Sequence, residues 1–194
     1  MAPVAPVAEL IDVDKSYGAV TALKGVSLSL APGETVALLG LNGAGKTTAI
    51  NLLLGLRRPD RGEVRLDGGD PRTPAVRAAI GATPQETAFP QRLRCTEVIE
   101  LVRRHYPDPL PAAVVIERFG LGDFAHRQTG GLSGGQRRRL ALALAFVGQG
   151  RAVFLDEPTT GLDADVRRSL WRVMRDYVAG GGALLLTTHY LEEA

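Results

Sequence analysis

One nonapeptide constrains this chain more than any other feature: Gly40-Leu41-Asn42-Gly43-Ala44-Gly45-Lys46-Thr47-Thr48. The apolar run TVALL (35–39) precedes it and reads as a buried strand. The periodicity that follows predicts a helix over 45–56. The pattern G-x-x-x-x-G-K-[ST] between strand and helix is that of a phosphate-binding loop. Its glycines let the backbone curl so that several N–H groups point inward at phosphate oxygens. The helix N-terminus adds its partial positive charge. Lys46 is placed to reach the β- and γ-phosphates, and Thr47 to offer its hydroxyl to Mg²⁺. A glycine-rich strand–helix turn without a ligand is the plainer reading, and the strand before and helix after weigh against it. The loop alone does not separate a kinase from a GTPase or a transport motor.

A second feature narrows the chemistry. In AVFLDEP (152–158) four apolar residues lead into two acids. A buried strand ending in Asp-Glu sets carboxylates at the carboxyl edge of a sheet, where ligands sit in open α/β folds. Asp156 suits a Mg²⁺ ion, held directly or through water, and Glu157 suits the orientation or deprotonation of an attacking water.

The rest of the chain supports a parallel α/β sheet. Strands are predicted at 7–13, 26–30, 63–68, 152–155 and 183–188, with a strand end in IGATPQ (80–85). Helices are predicted at 96–106, 111–119, 134–148 and 164–178, and the stretch 121–131 reads as loop. Val166, Leu170, Val173, Met174 and Tyr177 recur at helical spacing and are assigned to the core. Leu140, Leu144 and Val147 form an apolar stripe on the helix before them.

LSGGQ (132–136) is polar and glycine-rich, with nothing to bury, and it opens that same helix. Together GLNGAGKTT, LSGGQ, FLDEPTTGLD and TTH resemble the nucleotide-binding subunit of an ATP-binding-cassette (ABC) transporter, from KSYG at 15–18 to EEA at 192–194. Within that family the words are most similar to the ATPases of two-component bacterial exporters of the daunorubicin-resistance and sodium-efflux types. The resemblance implies a P-loop NTPase fold of α/β class in one nucleotide-binding domain over 1–194. Its ABC ATPase core would carry a small antiparallel β portion near the N-terminus and a helical subdomain at about 88–150.

The same resemblance implies roles for single residues. Residues 40–48 would bind ATP, with Tyr17 stacking on adenine. Thr47, Gln85 and Asp156 would hold Mg²⁺. Glu157, His189 and Gln85 would act in catalysis, His189 by contacting the γ-phosphate and Gln85 by contacting the metal and the attacking water. Ser133, Gly134, Gly135, Gln136 and Asp163 would serve the nucleotide bound to an opposite subunit, so that each site is composite. Asp163 also reads as a helix N-cap. The implied assembly is a homodimer or heterodimer of ATPase subunits, joined to separate transmembrane permease subunits at the cytoplasmic face of the membrane.

Composition agrees with these expectations without deciding them. Twenty-three basic against 21 acidic residues leave a net charge of +2 and no mandate for nucleic acid. Arg137, Arg138 and Arg139 are read as a solvated face or a partner contact rather than a nucleic-acid patch. One cysteine excludes an intrachain disulfide and a cysteine metal cluster, and suits a reducing compartment. The apolar helical run at 140–147 falls far short of the roughly 20 residues that span a bilayer, and MAPVAPVAELI does not read as a signal peptide. The resemblance implies a further strand–turn–strand after His189, where only five residues follow. The chain is therefore read as shortened, as a natural short variant or as the product of an incomplete gene. Two other readings stand beside the transporter: a cassette ATPase acting without a membrane partner, and a module that binds ATP without hydrolysing it. Lys46, Asp156, Glu157 and His189 weigh against the second.

Overall fold

A computed structural model describes residues 5–83 and 88–189. Two sheets form the frame. The antiparallel sheet has the order β2-β1-β4, with β1 at Ala8–Tyr17, β2 at Val20–Leu30 and β4 at Arg61–Leu66. The parallel sheet has the order β3-β7-β6-β5, with β3 at Thr35–Leu39, β5 at Ile80–Thr83, β6 at Ala152–Asp156 and β7 at Ala183–Thr188. Helix α1 (Lys46–Leu53) leaves β3, and the short helix α2 (Pro74–Arg77) precedes β5. Helices α3 (Cys95–Arg103), α4 (Ala112–Arg118) and α5 (Gly134–Phe146) lie between β5 and β6, and α6 (Ala164–Ala179) links β6 to β7.

Side chains alternate across a strand, and here the alternation sorts them into two cores. Val153, Leu155, Leu184 and Leu186 pack with residues of α3, α4, α5 and α6. Ala152, Phe154, Ala183 and Leu185 pack against α1 and the antiparallel sheet. Burial on both faces explains why AVFL and ALLL read as unbroken apolar runs rather than alternating ones. Phe154 is fully buried, and its truncation to alanine would cost about 3–5 kcal/mol. In α6, Leu170 and Met174 are buried while Val166, Val173 and Tyr177 pack partly buried on the same core, as their spacing predicts.

Three sequence expectations change. The first two strands are longer than 7–13 and 26–30, because they form one hairpin that brings Tyr17 opposite Val20. Asp12 has φ 48 and the register shifts between Leu10 and Val13, so the two-residue period lapses there. Helix α1 stops at Leu53 rather than Leu56. Gly55, at φ 68, donates its N–H to Leu52 O at 3.0 Å, and Leu56 donates to Asn51 O at 2.9 Å. That pair of bonds is a Schellman motif, which closes a helix. The stretch 121–131 contains two 3-10 turns, Gly122–Phe124 and Thr129–Gly131, and so is not wholly loop.

The parallel register fixes the site. Leu39 lies opposite Thr188, and Asp156 opposite Thr187. The strand ends that carry residue 40 onward, Asp156-Glu157 and Thr188-His189 therefore finish at one sheet edge.

Candidate functional site

The phosphate loop joins β3 to α1, with Gly45 as N-cap of the helix at φ 88. A β-carbon on Gly45 would fall against the Ala22 carbonyl oxygen and 2.8 Å from Leu23 Cδ2, so the antiparallel sheet presses directly on this loop. Lys46 is buried, and its Nζ donates to the carbonyls of Gly40 at 2.6 Å and Leu41 at 3.0 Å. The ammonium is thus held against its own loop. No side chain caps α1, which leaves its first-turn N–H groups available to an anion. Asn42 to Thr48, Ala22 and Glu157 together line a cavity of about 350 Å³.

Asp156 is buried at the end of β6, and Thr187 Oγ1 donates to its Oδ1 at 2.5 Å. The same hydroxyl accepts from the Glu157 amide at 2.9 Å. Sequence reasoning did not find Thr187. Thr187 is the first threonine of TTH and carries no local signal, because its partners lie on another strand. Glu157 has the left-handed backbone value φ 49. Its side chain is only 11% exposed, with Thr160 Oγ1 at 3.4 Å and His189 Nδ1 at 3.7 Å from its carboxylate oxygens. Thr47 and Asp156 line a common cavity beside α1. A hydroxyl and a carboxylate are hard oxygen donors that fit Mg²⁺, which takes one or two carboxylates together with substrate phosphates. Among the described residues no group of three His, Cys, Asp or Glu is placed to hold a metal ion by itself.

Ser133 is the N-cap of α5 in a capping box. Its Oγ accepts from Gln136 N at 3.2 Å, and Gln136 Oε1 accepts from Ser133 N at 3.0 Å. The side chain of Gln136 is therefore engaged in the cap, while the first-turn N–H groups of Gly134 and Gly135 stand outside the intrahelical ladder. None of Ser133 to Gln136 lines the cavity of the same chain's phosphate loop. Asp163 caps α6, accepting from Val166 N at 2.9 Å, as its N-cap reading requires. Tyr17 ends β1 and is 45% exposed, with Lys15 Nζ 5.6 Å from its ring centroid. It does not line the phosphate-loop cavity. Gln85 lies outside the described residues.

Arg137 is exposed, as a solvated face requires, but Arg138 and Arg139 turn inward. Arg138 Nη2 donates to the carbonyls of Asp156 and, at 2.7 Å, Glu157, while Nε reaches Pro158 O at 3.4 Å. Burial pushes its pKa below the ordinary guanidinium value, against the pull of Asp156 and Glu157. Arg139 donates to Gly120 O at 2.9 Å and lies 5.8 Å from the Phe124 ring.

Residues 23–160 match the ABC transporter family. The chain belongs to that family. Among ABC relatives it is 40% identical over 195 residues to Nod factor export ATP-binding protein I of Paraburkholderia xenovorans (strain LB400), covering 96% of this chain and 64% of that protein. It is 42% identical over 188 residues to daunorubicin resistance ATP-binding protein DrrA3 of Streptomyces coeruleorubidus, covering 93% of this chain and 60% of that one. The chain thus spans somewhat less than two thirds of the length of these relatives. Its fold superposes on a solved ATP binding subunit of an ABC transporter with a TM-score of 0.88 at 28% identity, over 97% of this chain and 81% of that one. It superposes on the dimeric ATP-binding cassette MJ0796, bound to ADP and Pi after hydrolysis, with a TM-score of 0.87 at 26% identity, over 95% and 89%. No helix among the described residues of this ABC chain is long and apolar enough to cross a membrane.

Proposed function

We propose that this chain binds and hydrolyses ATP with Mg²⁺ and so powers a membrane exporter whose permease subunits are other chains. The observation that carries the reading is the placement of Glu157 in the same cavity as Asn42–Thr48. A carboxylate in that position faces the place where the terminal phosphate of a loop-bound nucleotide would lie. Lys46 neutralises phosphate charge, and Thr47 and Asp156 would hold Mg²⁺, which would supply further positive charge to the phosphates. Glu157 orients and deprotonates the attacking water, and His189 contacts the γ-phosphate. Gln85 would contact the metal and the attacking water, and Tyr17 would stack on the base.

The site is composite. The Ser133 hydroxyl, the N–H groups of Gly134 and Gly135, Gln136 at the cap and Asp163 serve the nucleotide of a second ATPase subunit. None of them lines the same chain's phosphate-loop cavity, which supports that arrangement, as does the dimeric cassette that this chain resembles. The export direction follows the relatives named for Nod factor export and daunorubicin resistance. The subunit works at the cytoplasmic face of the membrane, held there by its permease.

Mg²⁺-dependent phosphate release is the test. Glu157→Gln should abolish turnover and keep ATP binding, and with Mg²⁺ and ATP it should elute as a dimer. Lys46→Ala should weaken binding itself. Wild-type turnover in Glu157→Gln would show that Glu157 is not the base. A wild-type protein that binds ATP and releases no phosphate would favour the non-hydrolysing module.

A further inference from the structure

The carbonyls of Asp156, Glu157 and Pro158 stand where β6 gives way to a loop, and buried carbonyls need partners. The Glu157 carbonyl accepts from Thr160 N at 3.3 Å, and one guanidinium reaches all three. Arg138, on the second turn of α5, donates to all three. No other side chain carries enough donors in a fixed plane to do this. Glu157, at the centre of the three, is a non-glycine residue at φ 49. Such a backbone persists only when its surroundings hold it. Here two elements do so from opposite sides. Thr187 on β7 accepts the Glu157 N–H, and Arg138 on α5 donates to the Glu157 carbonyl.

We propose that Arg138 is a positioning residue for Glu157: it fixes the backbone that aims the Glu157 carboxylate and ties that aim to helix α5. The proposal rests on the role given to Glu157 above. The carboxylate is nearly buried and hangs from the peptide unit that Arg138 holds, so a change in that unit displaces the base. A shift of about 1 Å in a reacting group costs up to roughly 10²-fold in rate. Ser133, which caps α5, is proposed to contact the other subunit's nucleotide. A movement of the helix imposed at Ser133 therefore reaches Glu157 through Arg138. The arginine couples the site that its own chain completes to the base that its own chain supplies.

Arg138→Met keeps length and apolar stem and removes every donor. Its kcat should fall about 10- to 100-fold, with KM for ATP within about twofold of wild type. Arg138→Lys, which reaches part of the carbonyl set, should recover part of the loss. In nucleotide-free protein, deuterium uptake at the Glu157, Thr159 and Thr160 amides should rise in Arg138→Met while uptake across α1 stays the same. A wild-type kcat in Arg138→Met, a fall in kcat matched by an equal rise in KM, or unchanged amide exchange would each overturn the proposal. Should Arg138→Met not fold, Arg138→Lys carries the comparison, with a smaller fall in kcat expected and a wild-type kcat overturning it. The exchange readout needs no turnover. A wild-type protein without ATPase activity would sink the functional reading and leave amide exchange to decide Arg138.

Discussion

The Thr187 hydroxyl lies 2.5 Å from Asp156 Oδ1 and 2.9 Å from the Glu157 amide nitrogen, so one side chain on β7 serves both acids at the end of β6. It donates to the first and accepts from the second. Thr187→Val preserves shape and removes both bonds, leaving a buried carboxylate oxygen and an N–H unpaired. The expected cost is about 1–3 kcal/mol of stability per orphaned group, read by chemical denaturation, with reduced phosphate release. Thr187→Ser keeps the hydroxyl and should retain most of both. Equal stability of Thr187→Val and wild type would mean that water replaces the hydroxyl.

The proposed composite site predicts complementation between two variants that should each be inactive alone. Lys46→Ala spoils the phosphate loop, and Ser133→Arg blocks the cap of α5 with bulk. In each homodimer both sites are broken. In a mixed dimer both lesions fall in one site and the other is whole. Random pairing makes half the dimers mixed, so roughly a quarter of wild-type sites should return. Nucleotide binding in the mixture, measured beside phosphate release, separates a site that is restored from one that also needs its neighbour to be competent. Binding that never recovers would place Ser133 on its own subunit's nucleotide.

Two glycines of the phosphate loop should differ in their tolerance of alanine. Gly43 has φ 85 with nothing within 4 Å of a built β-carbon, whereas Gly45 has φ 88 and the Ala22 carbonyl directly in the way. Gly43→Ala carries backbone strain alone, about 1–3 kcal/mol. Gly45→Ala adds a clash with backbone and should lose both more stability and more ATP affinity. Calorimetric titration with ATP and thermal unfolding of the pair would check the order. A Gly43→Ala variant that is the more damaged would refute it.

Cys95 should be inert while the protein is folded. It is fully buried at the start of α3, and burial pushes its thiol pKa above the ordinary value, so little thiolate forms near neutral pH. Its reaction with a disulfide reagent at pH 8 should be far slower than in denaturant and should speed up with added urea in step with unfolding. Rapid labelling in native buffer would show that α3 opens locally.

Much of this protein is local chemistry and could be read in order along the chain. The phosphate loop, the Asp156-Glu157 strand end and the Ser133 cap each depend on residues adjacent in sequence, because a loop that cradles phosphate and a helix cap are built from consecutive peptide units. The two central strands of the parallel sheet were legible for a related reason: burial on both faces demands continuous apolar sequence, as in AVFL and ALLL. Two boundaries escaped that logic. The bulge at Asp12 broke the period of the first strand, and the Schellman closure at Gly55 ended α1 before its apolar residues ran out. Tertiary structure alone decided which distant groups meet. Thr187 finds Asp156 across 31 residues, and Arg138 finds the Asp156 carbonyl across 18. An arginine in a run of three carries no sign of which one turns inward. That is settled by the carbonyls of Asp156, Glu157 and Pro158, which come within reach of α5 only once β6 and α5 have packed together.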